Sequence, residues 1–553
     1  MKYRSYLLLL FAILNTFGLQ AQGLLGEKKM FTEQDTLRGS ITPGRIWWDL
    51  TYYHLELEVV PDKKFITGKN TITYTVLSEY QTLQVDLQAP LTISKVTQDG
   101  KELDVVSLGS AHFVQLVKKQ EIGNSESIVV HYQGYPKEAI NAPWDGGFSW
   151  KKDRNGNHFV ATSCQGLGAS VWWPCKDHMY DEVENMDISI RVPSNLMNIS
   201  NGKLKKIEDH GATKTYHWTV KNPINNYGVN VNIGDYAHFS EVFEGEKGAL
   251  DMDYFVLRDN LKKAKIHFKD APKMMKAFEH WFGPYPFYED GFKLVEVPYL
   301  GMEHQSSVTY GNQYKKGYLG RDLSGTGWGL KFDFIIVHEA GHEWFANNIT
   351  NKDIADMWIH EGFTNYSESL FLDYYYGKKA ASEYVIGLRR SIANQQPIIG
   401  QYDVNSEGSS DMYNKGGNLL HTLRQLVNND EKWRGILRKM NAVFYHQTVT
   451  TVQIENFLST EIGIDLTAVF DQYLRDVRIP ILESQLQNGM LSYKWANVVK
   501  GFKMPVRIFV NEKPMWLYPT SKMQTKHFKE KNTDFDVDPN FYIYTKKQIK
   551  KSR

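Results

Sequence analysis

The stretch FDFIIVHEAGHEWFANNI, Phe332 to Ile349, constrains this chain more than any other. It is apolar enough to be a buried helix, yet it carries His338, Glu339 and His342. Burying two imidazoles and a carboxylate without partners is costly, so a neighbouring element or a ligand must satisfy them. On a helix, four residues make about 400° of turn, so His338 and His342 stack on one face. Two nitrogens so placed can grip one zinc ion. Glu339 lies about 100° round, beside such an ion rather than on it, where it can deprotonate a bound water. This is the logic of the HExxH pattern.

A catalytic zinc usually takes three protein ligands and keeps one position open. DMWIHEGFTNYSE supplies the third, Glu361, after 18 intervening residues. That is enough chain to finish one helix, turn and return on a second beside it. Glu368 lies seven residues on, about two turns, and faces the same way as Glu361. It can hold the free nitrogen of a zinc-bound histidine. His360 points about 100° away and stays outside the metal shell. HExxH alone has three fixed letters and recurs by chance, and helical histidines are more often satisfied core or surface groups. The apolar setting and the correctly spaced Glu361 favour one zinc per chain.

The 553 residues are too many for one compact core, so two to four domains are expected. Lys+Arg is 64 and Asp+Glu 63. Nucleic acid is therefore disfavoured as a partner, since its binding rests on clustered basic residues. The basic tail KKQIKKSR reads as a solvated terminus. At the other end, MKYRSYLLLLFAILNTFGLQAQ has Lys2 and Arg4, a short apolar run and small residues up to Ala21. That is the layout of a signal peptide over residues 1–21. The run is short of the ~20 residues that span a bilayer. The expectation is an exported chain, periplasmic or secreted, with no stable membrane anchor after cleavage. Only two cysteines are present, Cys164 and Cys175, so the chain is no disulfide scaffold. Spacing alone leaves a bridge and two separate thiols equally open.

Organisation follows from periodicity. Short period-two runs such as YYHLELEVV, GKNTITYTV and MDISIRVP fill residues 47–255. They predict an antiparallel β domain over residues 22–257. Helical spacing takes over near Arg258 and dominates to residue 477. Strand-like runs return in 478–553 as a small β module. The fold class expected is multidomain α+β.

HEAGHEWFAN followed by EGFTNYSE resembles the zinc signature of the M1 family of metallo-aminopeptidases, of the gluzincin group. LGMEHQ (Leu300 to Gln305) is similar to that family's Gly-x-Met-Glu-Asn motif. MYNKGGNLLHTLR (from Met412) resembles the segment bearing its catalytic tyrosine, and SCQGLGASVWWPCKD its N-domain strand and loop. The resemblance covers roughly residues 45 to 477. It implies a thermolysin-like catalytic domain over residues 258–477, in a short form without the family's long C-terminal helical domain. It implies that His338, His342 and Glu361 bind Zn2+ and that Glu339 is the general base. Tyr413 would stabilise the oxyanion. Glu303, helped by Gln165, would bind the free N-terminus of a peptide substrate. Two departures bear on amine recognition: Leu300 replaces the motif's glycine and His304 its asparagine. A protonated His304 would compete with the substrate ammonium for Glu303. Gly341 is also a poor helix residue, costing ~1 kcal/mol against alanine. Alternatives from other classes are a zinc endopeptidase or other zinc hydrolase, and a non-enzymatic binding protein on this fold. First-residue preference and oligomeric state are not legible.

Overall fold

The structure, a computed structural model, describes residues 30–529 and 534–547. The expected signal segment lies outside them. Strand Trp48–Val60 shows how the first domain is built. Tyr53, Leu55, Leu57 and Val59 point inward at 0–3% exposure, while their neighbours are half-buried. That alternation is the two-residue period of a strand with one face on a core. The strand sits inside an eight-stranded sheet, paired with Phe65–Val76 on one side and Asn185–Pro193 on the other. The second pairing is parallel, so the β domain is not purely antiparallel as expected. Parallel neighbours need a crossover rather than a hairpin. Here the chain between Val60 and Asn185 supplies four more strands of the same sheet and a separate three-stranded sheet before it returns. Trp172, Trp173 and both cysteines are buried in this domain's core. Cys164 and Cys175 are free thiols, so the open question of a bridge resolves to two separate buried groups.

The hairpin Tyr236–Gly245 and Gly248–Leu257 was expected within the β domain. It pairs instead with Phe292–Glu296, continuing through Val308–Tyr310 to the edge strand Gly301–Met302. Leu250, Met252, Tyr254 and Val256 accordingly pack in the core of the helical domain. Periodicity could identify these strands but not the sheet that would claim them.

Five helices frame the site. They are α1 (Asp270–Phe282), α2 (Phe334–Gly341), α3 (Trp358–Tyr376), α4 (Lys378–Leu388) and α5 (Asp411–Val427). Glycines set how closely they approach. A Cβ on Gly341 would lie 2.6 Å from Ser367 Oγ and 3.1 Å from Thr364 Cγ2. The residue that looked costly in α2 is what lets α2 touch α3. Where α3 meets α5, a Cβ on Gly416 would lie 2.9 Å from Gly362 Cα. The C-terminal strands form a four-stranded and a three-stranded sheet. Their residues Leu482, Trp495 and Phe541 share one apolar core with the catalytic helices.

Candidate active site

Helix α2 is pinned at its start. The Asp333 carboxylate accepts from the Ile336 amide at 3.1 Å and from the Tyr310 hydroxyl at 2.8 Å. This is a side-chain N-cap, satisfying an amide that has no intrahelical partner. The other end departs from the single helix expected over Phe332 to Ile349. After His342 the chain makes a wider turn, with Asn347 N bonded to His342 O and Asn348 N to Glu343 O, five residues apart. Such widened turns recur at functional sites. Here the Phe345 carbonyl comes within 3.1 Å of His342 Nδ1, and Thr364 Oγ1 is also at 3.1 Å. The ring's other nitrogen, Nε2, is left facing Glu361.

His338, His342 and Glu361 converge. Glu361 Oε2 lies 3.6 Å from His338 Nε2 and 3.4 Å from His342 Nε2. The three donor atoms lie within 4.8 Å of one another, and all three residues are buried. Zinc bonds of 2.0–2.1 Å in a tetrahedron separate ligand atoms by about 3.4 Å. Among the described residues Glu361 Oε2 is buried without a hydrogen-bond partner, which a cation between the three groups would supply. The residues fit zinc. Burial alone would raise the Glu361 carboxyl, but the His342 and His338 imidazoles hold it well below the usual carboxylate range. Burial would lower His338, and the Glu361 and Glu368 carboxylates reverse this and hold it up. Glu368 stands where the two-turn spacing put it, with Oε1 2.8 Å from His338 Nδ1.

Glu339 shares a second cluster with Glu303 and His342, again with donor atoms within 4.8 Å. Burial pushes its carboxyl up to about 7, with His338 pulling down and Glu303 pushing up. Glu303 follows the edge strand Gly301–Met302 and is buried. Gln165, from the β domain, donates its amide to Glu303 Oε1 at 2.6 Å and to Glu361 Oε1 at 3.0 Å. Tyr413 opens helix α5, its ring stacked on His338 at 6.1 Å. Burial, then the nearby Glu361 carboxylate, raises its hydroxyl and keeps it a donor.

His304 does not compete for Glu303. Burial lowers its pKa to about 3, so it is neutral, with Nδ1 on Thr309 Oγ1 at 3.3 Å. His360 is likewise structural, its Nε2 accepting from the Asn351 amide at 2.8 Å.

Three positions escaped the sequence reading. Glu343 Oε1 accepts from Ser306 N at 2.8 Å, and Asn347 donates to Glu303 O at 2.9 Å, so the widened turn after α2 grips the turn carrying Glu303. The third is Tyr227, whose buried hydroxyl lies near Glu303 and whose pKa is raised by burial, then by Glu303 and Glu361. Its backbone oxygen takes the Cys164 thiol at 3.3 Å, beside Gln165. The Glu of HEAGHE was visible as a neighbour of the histidines. Nothing in NNYGVN signalled Tyr227.

This sheet, the crossed helices and the buried N, N, O donor set with its adjacent carboxylate define a metallopeptidase of the HExxH class. Two family models match the chain, the Peptidase M1 N-terminal domain over residues 50–227 and the Peptidase family M1 domain over residues 266–473. The chain belongs to peptidase family M1. It is 23% identical over 439 residues to leukotriene A-4 hydrolase of Xenopus laevis, covering 74% of this chain and 68% of that protein. It is 22% identical to probable aminopeptidase 1 of Sulfurisphaera tokodaii, over 72% of this chain and 52% of the relative. Against human endoplasmic reticulum aminopeptidase 1 the figures are 23% identity, 59% of this chain and 35% of the relative. So the chain spans about two thirds of the first relative, half of the second and a third of the last. In fold it is similar to an M1 zinc metallopeptidase of Deinococcus radiodurans solved with a Tyr-Ser-Ala substrate. The TM-score is 0.65 at 20% identity, covering 77% of this chain and 94% of that one.

Proposed function

We propose that this M1 peptidase is a zinc aminopeptidase that removes residues singly from the free N-terminus of peptides. Its aminopeptidase relatives support this, and the observation that carries it is the position of Glu303. It is a buried carboxylate, held by Gln165, in one cluster with Glu339 and His342. An ammonium bound there sets the first peptide bond beside the base. His338, His342 and Glu361 would hold one zinc, which when bound supplies Lewis acidity toward water and carbonyl. Glu339 takes a proton from the attacking water at its carboxylate and returns it to the leaving nitrogen. The Tyr413 hydroxyl donates to the carbonyl oxygen as it gains charge. Glu368 fixes the His338 ring and its tautomer.

The test is zinc content together with hydrolysis of paired free and N-acetylated peptides. One zinc with cleavage of free-amine peptides alone is expected. Cleavage of blocked peptides would favour the endopeptidase reading and remove Glu303 from amine binding. No zinc and no turnover would favour a binding protein, against which the retained ligands and base already speak.

Export is part of the same proposal, resting on the layout of residues 1–21. Among the described residues no helix is long and apolar enough to cross a membrane. Amino-terminal sequencing of the chain from its native cells should begin at Gln22. A chain still carrying Met1 or Lys2 would refute export by cleavage.

A further inference from the structure

The cavity over the metal cluster, about 380 Å3, runs beyond the groups the chemistry uses. Its direction can be read along α2. Glu303 belongs with His342 and Asn347, at the C-terminal end of that helix. The edge strand lies alongside, with Gly301 packed on Ile335, so Leu300 lies at the N-terminal end. A peptide whose amine sits on Glu303 and whose first bond sits at Glu339 therefore places its second residue toward Phe334.

The cavity lining there includes Leu300, Tyr318, Leu323, Phe334 and Leu388, with the uncharged Ser391. Phe334 stacks on His338 with ring centroids 5.1 Å apart, and Tyr318 meets Phe334 edge-on at 5.4 Å. Leu300, Leu323 and Phe334 are partly buried against the core and keep a face to the cavity. The charged lining residues are Glu303, Glu339, Glu361, Glu368 and the two histidines, all within the metal and amine cluster. Arg321 stands over the Tyr318 ring at 5.7 Å but does not line the cavity. Leu300 replaces the family motif's glycine, adding a side chain where that pattern leaves bare backbone. Resting on the aminopeptidase reading, the geometry points to a second-residue pocket that selects large apolar side chains, leucine or phenylalanine, over charged ones. An apolar side chain there leaves water for an apolar wall, whereas a charged one loses hydration without a partner.

The test is calorimetric binding to the zinc-loaded Glu339→Gln chain, which holds peptides without cutting them. Ala-Phe-Ala and Ala-Leu-Ala are expected to bind about ten-fold or more tighter than Ala-Lys-Ala and Ala-Glu-Ala. Adding Leu300→Gly should narrow that ratio. Leu323→Lys, tested separately in case the first variant folds poorly, should favour Ala-Glu-Ala over Ala-Phe-Ala relative to the parent. Equal affinities, no binding by any of the four, or an unchanged ranking in both variants would overturn the inference. N-acetyl-Ala-Phe-Ala separates the two readings. If it binds as tightly as the free peptide, amine recognition by Glu303 fails, while the ranking by second residue still decides the pocket.

Discussion

Glu368 Oε1 lies 2.8 Å from His338 Nδ1, and the Tyr384 hydroxyl donates to the other oxygen of the same carboxylate at 2.6 Å. The pair locks one imidazole with its second nitrogen toward Glu361. Glu368→Ala should weaken zinc binding about 10- to 100-fold, measured by chelator competition. Activity should return at excess zinc. Tyr384→Phe should act in the same direction and less. Unaltered zinc affinity in Glu368→Ala would show that the bond does no orienting.

Glu339 is the carboxylate proposed as base, and its neighbours Glu303 and His342 have other proposed roles, in amine and metal binding. Glu339→Gln should retain zinc by elemental analysis and lose about 10²–10⁴ in kcat. Turnover at the parent rate would remove Glu339 from the proton path.

Glu303→Ala should spare zinc and fall mainly on free-amine substrates. The ratio of kcat/KM for free over N-acetylated peptides is the quantity to follow, and it should drop at least ten-fold, since a charge-assisted bond is lost. A ratio equal to the parent's would mean that the amine binds elsewhere.

The contact of Gly362 with Gly416 leaves no room for a methyl group. Gly416→Ala should cost about 1–3 kcal/mol of stability, seen as a lower Tm. It should also lower kcat, because Tyr413 lies one turn away on α5. Unchanged Tm and kcat would mean the helices separate freely.

Glu182 gives a pH signature. Burial raises its carboxyl from 4.5 to about 7, against hydrogen bonds from Thr350 and Asn225 that lower it. The folded chain keeps this proton between about pH 4.5 and 7 while the unfolded chain releases it. The stabilisation is full below pH 4.5 and is lost as pH rises through 7, a change of about 1–3 kcal/mol. Glu182→Gln should flatten that part of the Tm–pH curve. An identical curve would assign the slope to other groups.

The convergence of His338, His342 and Glu361 was legible because its logic is local: turn geometry places the two histidines with Glu339 beside them, and chain length sets the return to Glu361. Glu368 followed from the same helix arithmetic. The grip of Glu343 on Ser306 was not legible, because it joins a helix to a turn 37 residues earlier. Tyr227 was invisible for the same reason, lying in a different domain from Glu303. The turn after His342 was missed because an apolar stretch reads as helix whether its bonds span four residues or five. Pairing across the sheet was the other blind spot: alternation gives a strand two faces but does not choose its neighbour, so the hairpin 236–257 was placed with the β domain, whereas it pairs with Phe292–Glu296.

Gln165 is the amine-side contact that the β domain sends across to Glu303 and Glu361. His338, His342, Glu361, Glu339 and Glu303 itself all lie in the catalytic domain. The pocket around Glu303 is therefore complete only where the two domains meet, because Gln165 comes from one and Glu303 with Glu361 from the other.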